Sequence, residues 1–179
     1  VEGAEPTQQQ VYDYVKANYK QFIAADAADP ATKGGDATIY GGSGDDIIIA
    51  GAGNDTVYGG SGNDVISTGR GNDTIVFDVL KAADATGGNG KDTWVDYEAN
   101  DKIKFGTGFF DGLLSSDLSN AGKVGAFISV ANDGLGNTVV KVDRDGAGGN
   151  HTMSDLLVLE NKTGVTLQDL LNNNQIIIG

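Results

Sequence analysis

Gly41-Gly42-Ser43-Gly44-Asp45-Asp46-Ile47-Ile48-Ile49, Ala50-Gly51-Ala52-Gly53-Asn54-Asp55-Thr56-Val57-Tyr58, Gly59-Gly60-Ser61-Gly62-Asn63-Asp64-Val65-Ile66-Ser67 and Thr68-Gly69-Arg70-Gly71-Asn72-Asp73-Thr74-Ile75-Val76 follow one another without a gap. They are one nine-residue unit written four times. Each unit opens with a Gly-rich turn, places Asp sixth and puts a β-branched residue eighth, Ile48, Val57, Ile66 and Ile75 in turn. Turn chemistry and strand chemistry therefore alternate with a fixed period, the mark of a stacked repeat fold. Two units close one flattened coil, so turns two units apart stack at the strand spacing of about 4.8 Å. A Gly/Asp-rich flexible linker has no reason to hold an aliphatic residue at every ninth position, and that reading is set aside.

Glycine lets the turn backbone take positive φ with its carbonyls facing one side, a conformation that strains a residue carrying a Cβ. The turns at Gly42 and Gly44, Gly51 and Gly53, Gly60 and Gly62, and Gly69 and Gly71 are thus sources of oxygen ligands. Stacking puts Asp46 over Asp64 and Asp55 over Asp73. Stacked carboxylates repel unless something positive sits between them. A hard cation with oxygen-only ligands and flexible geometry fits, which means Ca²⁺ before Mg²⁺. About three to five ions are expected on the whole chain.

Charge sharpens the argument. The 179 residues carry a formal charge of −13, and the stretch from Gly41 to Asp78 holds six Asp, no Glu and Arg70 as its single basic residue. Without counter-ions such a segment resists compaction, so folding and metal binding are expected to be one event. The same balance argues against nucleic acid, since no basic face is available for phosphates. There is no cysteine, and bound metal takes over the stapling role that disulfides serve in small extracellular domains. No signal peptide or membrane span is visible, and the chain begins at Val1 with Met153 as its single Met, so a fragment of a longer protein is expected.

Outside the four units the pattern changes. Val11, Tyr12, Val15, Tyr19, Phe22 and Ile23 recur at helical spacing after a Thr7 cap and before Pro30, which predicts a helix covering the open end of the solenoid. Gly34-Gly35-Asp36 is a degenerate first unit with its Asp one place early. Ten residues, Phe77 to Thr86, then interrupt the frame, and Gly87-Gly88-Asn89-Gly90-Lys91-Asp92-Thr93-Trp94-Val95 restores it. Absorbing the extra residue as a bulge stacks the turn of Gly88 and Gly90 on that at Thr68 and pairs Asp73 with Asp92. Asp78 is then expected to reach an ion above Asp64.

Residues 94–98, 102–105, 124–130, 138–142 and 156–160 read as alternating strands between polar turns, followed by a short helix from Thr166 with Asp169 as capping-box partner and a last strand at 175–178. The loop from Asp143 to Asn150 begins like a calcium loop but has Ser154 at its twelfth position, so it is not an EF-hand. An ion held by Asp143, Asp145 and backbone oxygens and a plain Gly-rich turn are both open readings. The fold class is all-β: a parallel β-roll with an N-terminal capping helix (1–30), the roll itself (31–98), and a C-terminal antiparallel β extension (99–179) ending in a short helix and strand. The metal candidates are the turn residues above together with Asp36, Asp78, Gly88, Gly90, Asp92, Asp143 and Asp145.

The four units, the restored unit, the run Val95 to Phe105 and the tail Val142-Asp143-Arg144-Asp145-Gly146 resemble the C-terminal end of RTX proteins exported by type I secretion systems. The tail is similar to that of the very large RTX adhesins of Gram-negative bacteria used in biofilm attachment. The resemblance implies a secreted, cell-surface protein whose C-terminal end is the export signal. It implies passage through an ABC transporter, a membrane fusion protein and an outer-membrane channel. It implies a chain that stays unfolded in the cytosol and folds on extracellular Ca²⁺, which drives and locks export. No direct membrane insertion and no nucleic-acid partner are expected, and a monomer is. A lone His151 with no zinc, Cys or Gly-x-Ser-x-Gly motif argues against an enzyme. The alternative is the RTX tail of a secreted hydrolase, protease or lipase, whose catalytic domain lies upstream.

Overall fold

The computed structural model describes residues 6–28 and 34–179. Glycine turns every nine residues leave room only for short strands: β1 (Thr38–Ser43), β2 (Ile47–Ile49), β3 (Thr56–Ser61), β4 (Val65–Ser67), β5 (Thr74–Phe77), β6 (Asp92–Trp94) and β7 (Lys102–Phe105). Successive strands alternate between two sheets, so β1, β3, β5 and β7 are parallel neighbours in one and β2, β4 and β6 in the other. This is a parallel β-roll. Strand partners lie 18 residues apart at Thr38 and Thr56, Ile47 and Val65, and Thr56 and Thr74. The offset becomes 28 at Val65 and Thr93 and at Thr74 and Lys102. The residues that follow Phe77, the last of β5, are therefore looped out of the coil, and the sheets close over them.

Aliphatic residues at the eighth position form the core as period-2 alternation requires. In one sheet Ile39, Val57, Ile75, Ile103 and Ile176 stack in register, and in the other Ile48, Ile66, Trp94 and Leu159. Val57, Ile66, Ile75, Trp94 and Ile103 are fully buried. Burying each such side chain stabilises the fold by about 1.5–3 kcal/mol.

Beyond β7 the two sheets continue. β8 (Ile128–Asn132), β9 (Thr138–Val142) and β10 (Ser154–Leu159) form an antiparallel meander, while β10 pairs parallel with β6, and β11 (Ile176–Ile178) pairs parallel with β7. The extension thus shares both sheets with the roll and covers its last coil with Phe105, Phe109, Phe110 and Phe127, whose ring centroids lie 4.8–5.8 Å apart in successive contacts. The expected strand at 124–130 begins only at Ile128, because the Asn120 side chain accepts the Lys123 amide and caps a short helix, α2 (Ala121–Val124). The expected strand from Trp94 ends there and turns. α3 (Leu167–Asn172) has the expected capping box, with the Asp169 amide donating to Thr166 Oγ1 and the Thr166 amide donating to Asp169 Oδ2.

The N-terminal helix α1 spans Gln8–Ala28. Its start is a second capping box, in which the Thr7 amide donates to Gln10 Oε1 and the Gln10 amide donates to Thr7 Oγ1. The helix meets β2, brings Lys16 Nζ to 4.0 Å from Asp45, and its Tyr19 hydroxyl donates to Glu160 at 3.4 Å. Glu160 follows β10, three strands beyond β2, so the described contacts of α1 run from β2 to the end of β10. Pro30 and the side chains of Tyr12, Phe22 and Ile23 lie outside the described residues.

Candidate metal centre

Turns leading from the first sheet to the second stack along one edge of the roll, and turns leading back stack along the other. Asp46, Asp64 and Asp92 form a ladder on the first edge, and Asp55, Asp73 and Asp101 a ladder on the second. In each ladder the upper carboxylate reaches down to the coil below. The Asp46 amide donates to Asp64 Oδ1 at 2.8 Å, and the Asp64 amide to Asp92 Oδ1 at 2.9 Å. On the other edge the Asp55 amide donates to Asp73 Oδ1 at 2.8 Å, and the Asp73 amide to Asp101 Oδ1 at 3.0 Å. The fifth position works in the opposite direction. The Asn54 amide donates to Asp36 Oδ1, that of Asn72 to Asn54, that of Asn63 to Asp45, and that of Lys91 to Asn63. Neighbouring turns are thereby clamped from both sides.

This use of Oδ1 leaves the second oxygen without a partner. The Oδ2 atoms of Asp46, Asp55, Asp64 and Asp73 are buried and accept no hydrogen bond. Two ladders of three carboxylates have four gaps, and the lower member of every gap carries one of these orphaned oxygens. Buried acceptors are otherwise almost always satisfied, so four alike at equivalent positions mark sites built for a cation. The cavity shape agrees. A methyl built on Gly59 would stand 2.5 Å from Asp64 Oδ2 and 3.2 Å from Asp92 Oδ2, and one on Gly41 would stand 3.0 Å from Asp46 Oδ2. Both paired oxygens therefore face the space that the first-position glycine keeps open. The corresponding residues on the second edge are Ala50 and Thr68, so the two edges are not equivalent.

The remaining glycines hold the turns together. Gly60 has φ +102, and a Cβ there would meet the Gly42 carbonyl oxygen at 2.1 Å. Gly62 stacks in the same way on Gly44, Gly69 on Gly51, Gly71 on Gly53, and Gly90 on Gly62. Gly88 packs instead against Lys81. Carbonyls such as that of Gly51, which accepts the Arg70 amide at 3.0 Å, keep a second lone pair for a cation. Among the described residues no three His, Cys, Asp or Glu converge, so each gap offers two carboxylates plus backbone oxygens. Oxygen-only donors of this kind suit Ca²⁺.

Burial and mutual repulsion both act on the ladder carboxyls. Burial pushes the Asp92 carboxyl up to about 8, with the charges of Asp64 and Asp45 adding to it. Burial likewise raises Asp101 to about 6, helped by Asp73 and Asp96. Asp64 and Asp73 are also raised, again chiefly by burial. Burial therefore weighs against the charged form at these four carboxyls.

The expected pairing of Asp73 with Asp92 is corrected. Asp92 stacks on Asp64, because the residues after β5 loop out as a block and leave the restored unit on the first edge. Asp73 pairs with Asp101, which the sequence reading did not include among the ligands. Its turn, Asp96 to Asp101, has no glycine, yet Asp101 stands nine residues after Asp92 and 28 after Asp73, so the period was there to be read. Asp96 fastens this turn to its neighbour by accepting from the Ser67 hydroxyl and from the amides of Thr68 and Gly69, and Asp101 Oδ2 closes it by accepting the Glu98 amide. Asp36 falls at the fifth position, leaving Ala37 in the carboxylate slot beneath Asp55. Asp78 is exposed, with its carboxylate against Gly106. Asp145 accepts the amides of Asn150 and His151, and Asp143 that of Asp145, so their loop is closed by its own amides.

Residues 34–75 match the RTX calcium-binding nonapeptide repeat, in four copies. No curated protein matches the chain. The solution structure of the AlgE6R3 subunit from the Azotobacter vinelandii mannuronan C5-epimerase is similar over 84% of this chain and 86% of that one, at 22% identity and a TM-score of 0.43.

Proposed function

We propose that the chain is a calcium-triggered folding module with four Ca²⁺ sites, one in each gap of the two aspartate ladders, that ends an exported adhesin. The four orphaned Oδ2 oxygens carry this reading. Asp46 with Asp64, Asp64 with Asp92, Asp55 with Asp73, and Asp73 with Asp101 would hold the ions, together with turn carbonyls. Each bound ion supplies two positive charges between stacked carboxylates, and four would take the formal charge from −13 to −5. Extracellular calcium modules have dissociation constants of about 10⁻⁴–10⁻³ M, so the chain stays unfolded where calcium is scarce and folds outside the cell. The repeats and the C-terminal resemblance support passage through a type I export system, with the last residues as its signal. Far-UV circular dichroism tests the folding step. The chain should be largely disordered in chelator and gain β-structure at millimolar Ca²⁺, and a fold unchanged by chelation would overturn it.

A further inference from the structure

The ten-residue insertion lacks the glycine turns and ladder carboxylate of its neighbours, yet it must set the height of Asp92 above Asp64. A buried side chain from elsewhere holds it. Arg144, in the loop after β9, is 5% exposed. Its Nη1 donates to the carbonyls of Ala82 at 2.7 Å and Asp84 at 3.2 Å, and its Nε to that of Phe109 at 2.9 Å. The guanidinium lies 5.4 Å from the centre of the Phe109 ring. Arg144 makes no ion pair among the described residues, although the chain has 25 acids. A buried charge with only carbonyl acceptors is costly to keep and destabilising to remove.

The insertion transmits this hold to the site. Asp84 Oδ1 accepts from the amide and hydroxyl of Thr86, and Thr86 Oγ1 accepts the Gly90 amide at 3.1 Å. Asn89 is buried and donates to the carbonyls of Asp78 and Thr86. The Gly87 carbonyl accepts the amides of Leu80 and Lys81. Gly90 then stacks on Gly62, and two residues later Asp92 reaches the Asp64 amide. We infer that Arg144 is a positioning residue for the Asp64–Asp92 calcium site: a tethered cation that gathers the carbonyls of the one turn the repeat has lost. It ties that site to the C-terminal extension. This rests on the calcium reading proposed above.

Calorimetric calcium titration of the whole chain, with Arg144→Gln and Arg144→Lys, tests it. The wild-type chain should take four ions, and a wild-type chain that takes none overturns the calcium reading itself. Arg144→Gln should weaken one site by about 10- to 100-fold and leave three unchanged. Arg144→Lys, which keeps the charge and loses the fork, should fall between. In calcium-saturated Arg144→Gln, amide hydrogen exchange should speed up across residues 80–90 and not across 51–57. In an Asp92→Asn background, Arg144→Gln should not weaken calcium binding further. Four sites of wild-type affinity in Arg144→Gln, or equal weakening of all four, would overturn the inference. So would failure of both variants to fold at saturating calcium, since that would make Arg144 a determinant of the whole fold.

Discussion

Asp92 Oδ1 accepts the amide proton of Asp64 at 2.9 Å, across 28 residues of sequence. This contact joins the restored unit to the repeat array on one edge, as Asp101 joins the other through the Asp73 amide. Asp92→Asn should therefore weaken the site shared with Asp64 and spare that between Asp55 and Asp73. A calcium titration should show the stoichiometry fall from four towards three, with the remaining sites at their original midpoint.

Asp101→Ala makes the matching change on the second edge. It removes the carboxylate above Asp73 and the acceptor that closes the turn at the Glu98 amide. The calcium midpoint for folding should rise, and tryptophan fluorescence from Trp94 is a convenient readout. An unmoved midpoint would show that the ladder ends at Asp73.

The nine-residue frame, the core rows and the pairs Asp46–Asp64 and Asp55–Asp73 were legible because turn, carboxylate and β-branched residue recur together. The path of the insertion was not. Ten residues in place of nine read as a coil with one bulge, whereas the structure loops them out, and their contacts with Arg144 join residues 60 and 62 apart in sequence. Asp101 is not legible from glycine spacing because its turn has no glycine: Asp101 closes that turn on the Glu98 amide, and Asp96 ties it to the turn at Thr68. The helix α2 was missed because Val124 and Ile128 fit a strand alternation that the Asn120 cap overrides.

The edges should differ in tolerance of a methyl group. Gly59→Ala places its Cβ 2.5 Å from Asp64 Oδ2 and should raise the calcium requirement of the first edge. Ala50→Gly, at the same place on the second edge, removes a methyl group and no hydrogen-bonding atom. It should leave calcium affinity much closer to wild type. Parallel calcium titrations of the two variants check the contrast.

Acidity should partly replace calcium in ordering the chain. Asp92 and Asp101 titrate near 8 and 6 in the metal-free fold, above the unfolded carboxylate value of 3.8. The folded form therefore binds protons more tightly than the unfolded one. This contribution is full below about pH 4 and is lost as pH rises through about 6 and 8. In chelator, β-structure by circular dichroism should increase from pH 8 to pH 5. Calcium affinity should move the opposite way, strengthening as pH rises.

Deleting residues 163–179, where the proposal puts the export signal, should block export through a type I system. The first-edge site between Asp46 and Asp64 lies at the far end of the roll and should keep its calcium binding. Export efficiency and calcium binding of the truncated chain, measured side by side, separate the two roles.

Anomalous scattering from a crystal grown in calcium tests the central claim most directly, since it counts and places the ions. Four peaks should appear, between Asp46 and Asp64, Asp64 and Asp92, Asp55 and Asp73, and Asp73 and Asp101. Gaps without peaks in a crystal saturated with calcium, or peaks confined to one edge, would contradict it.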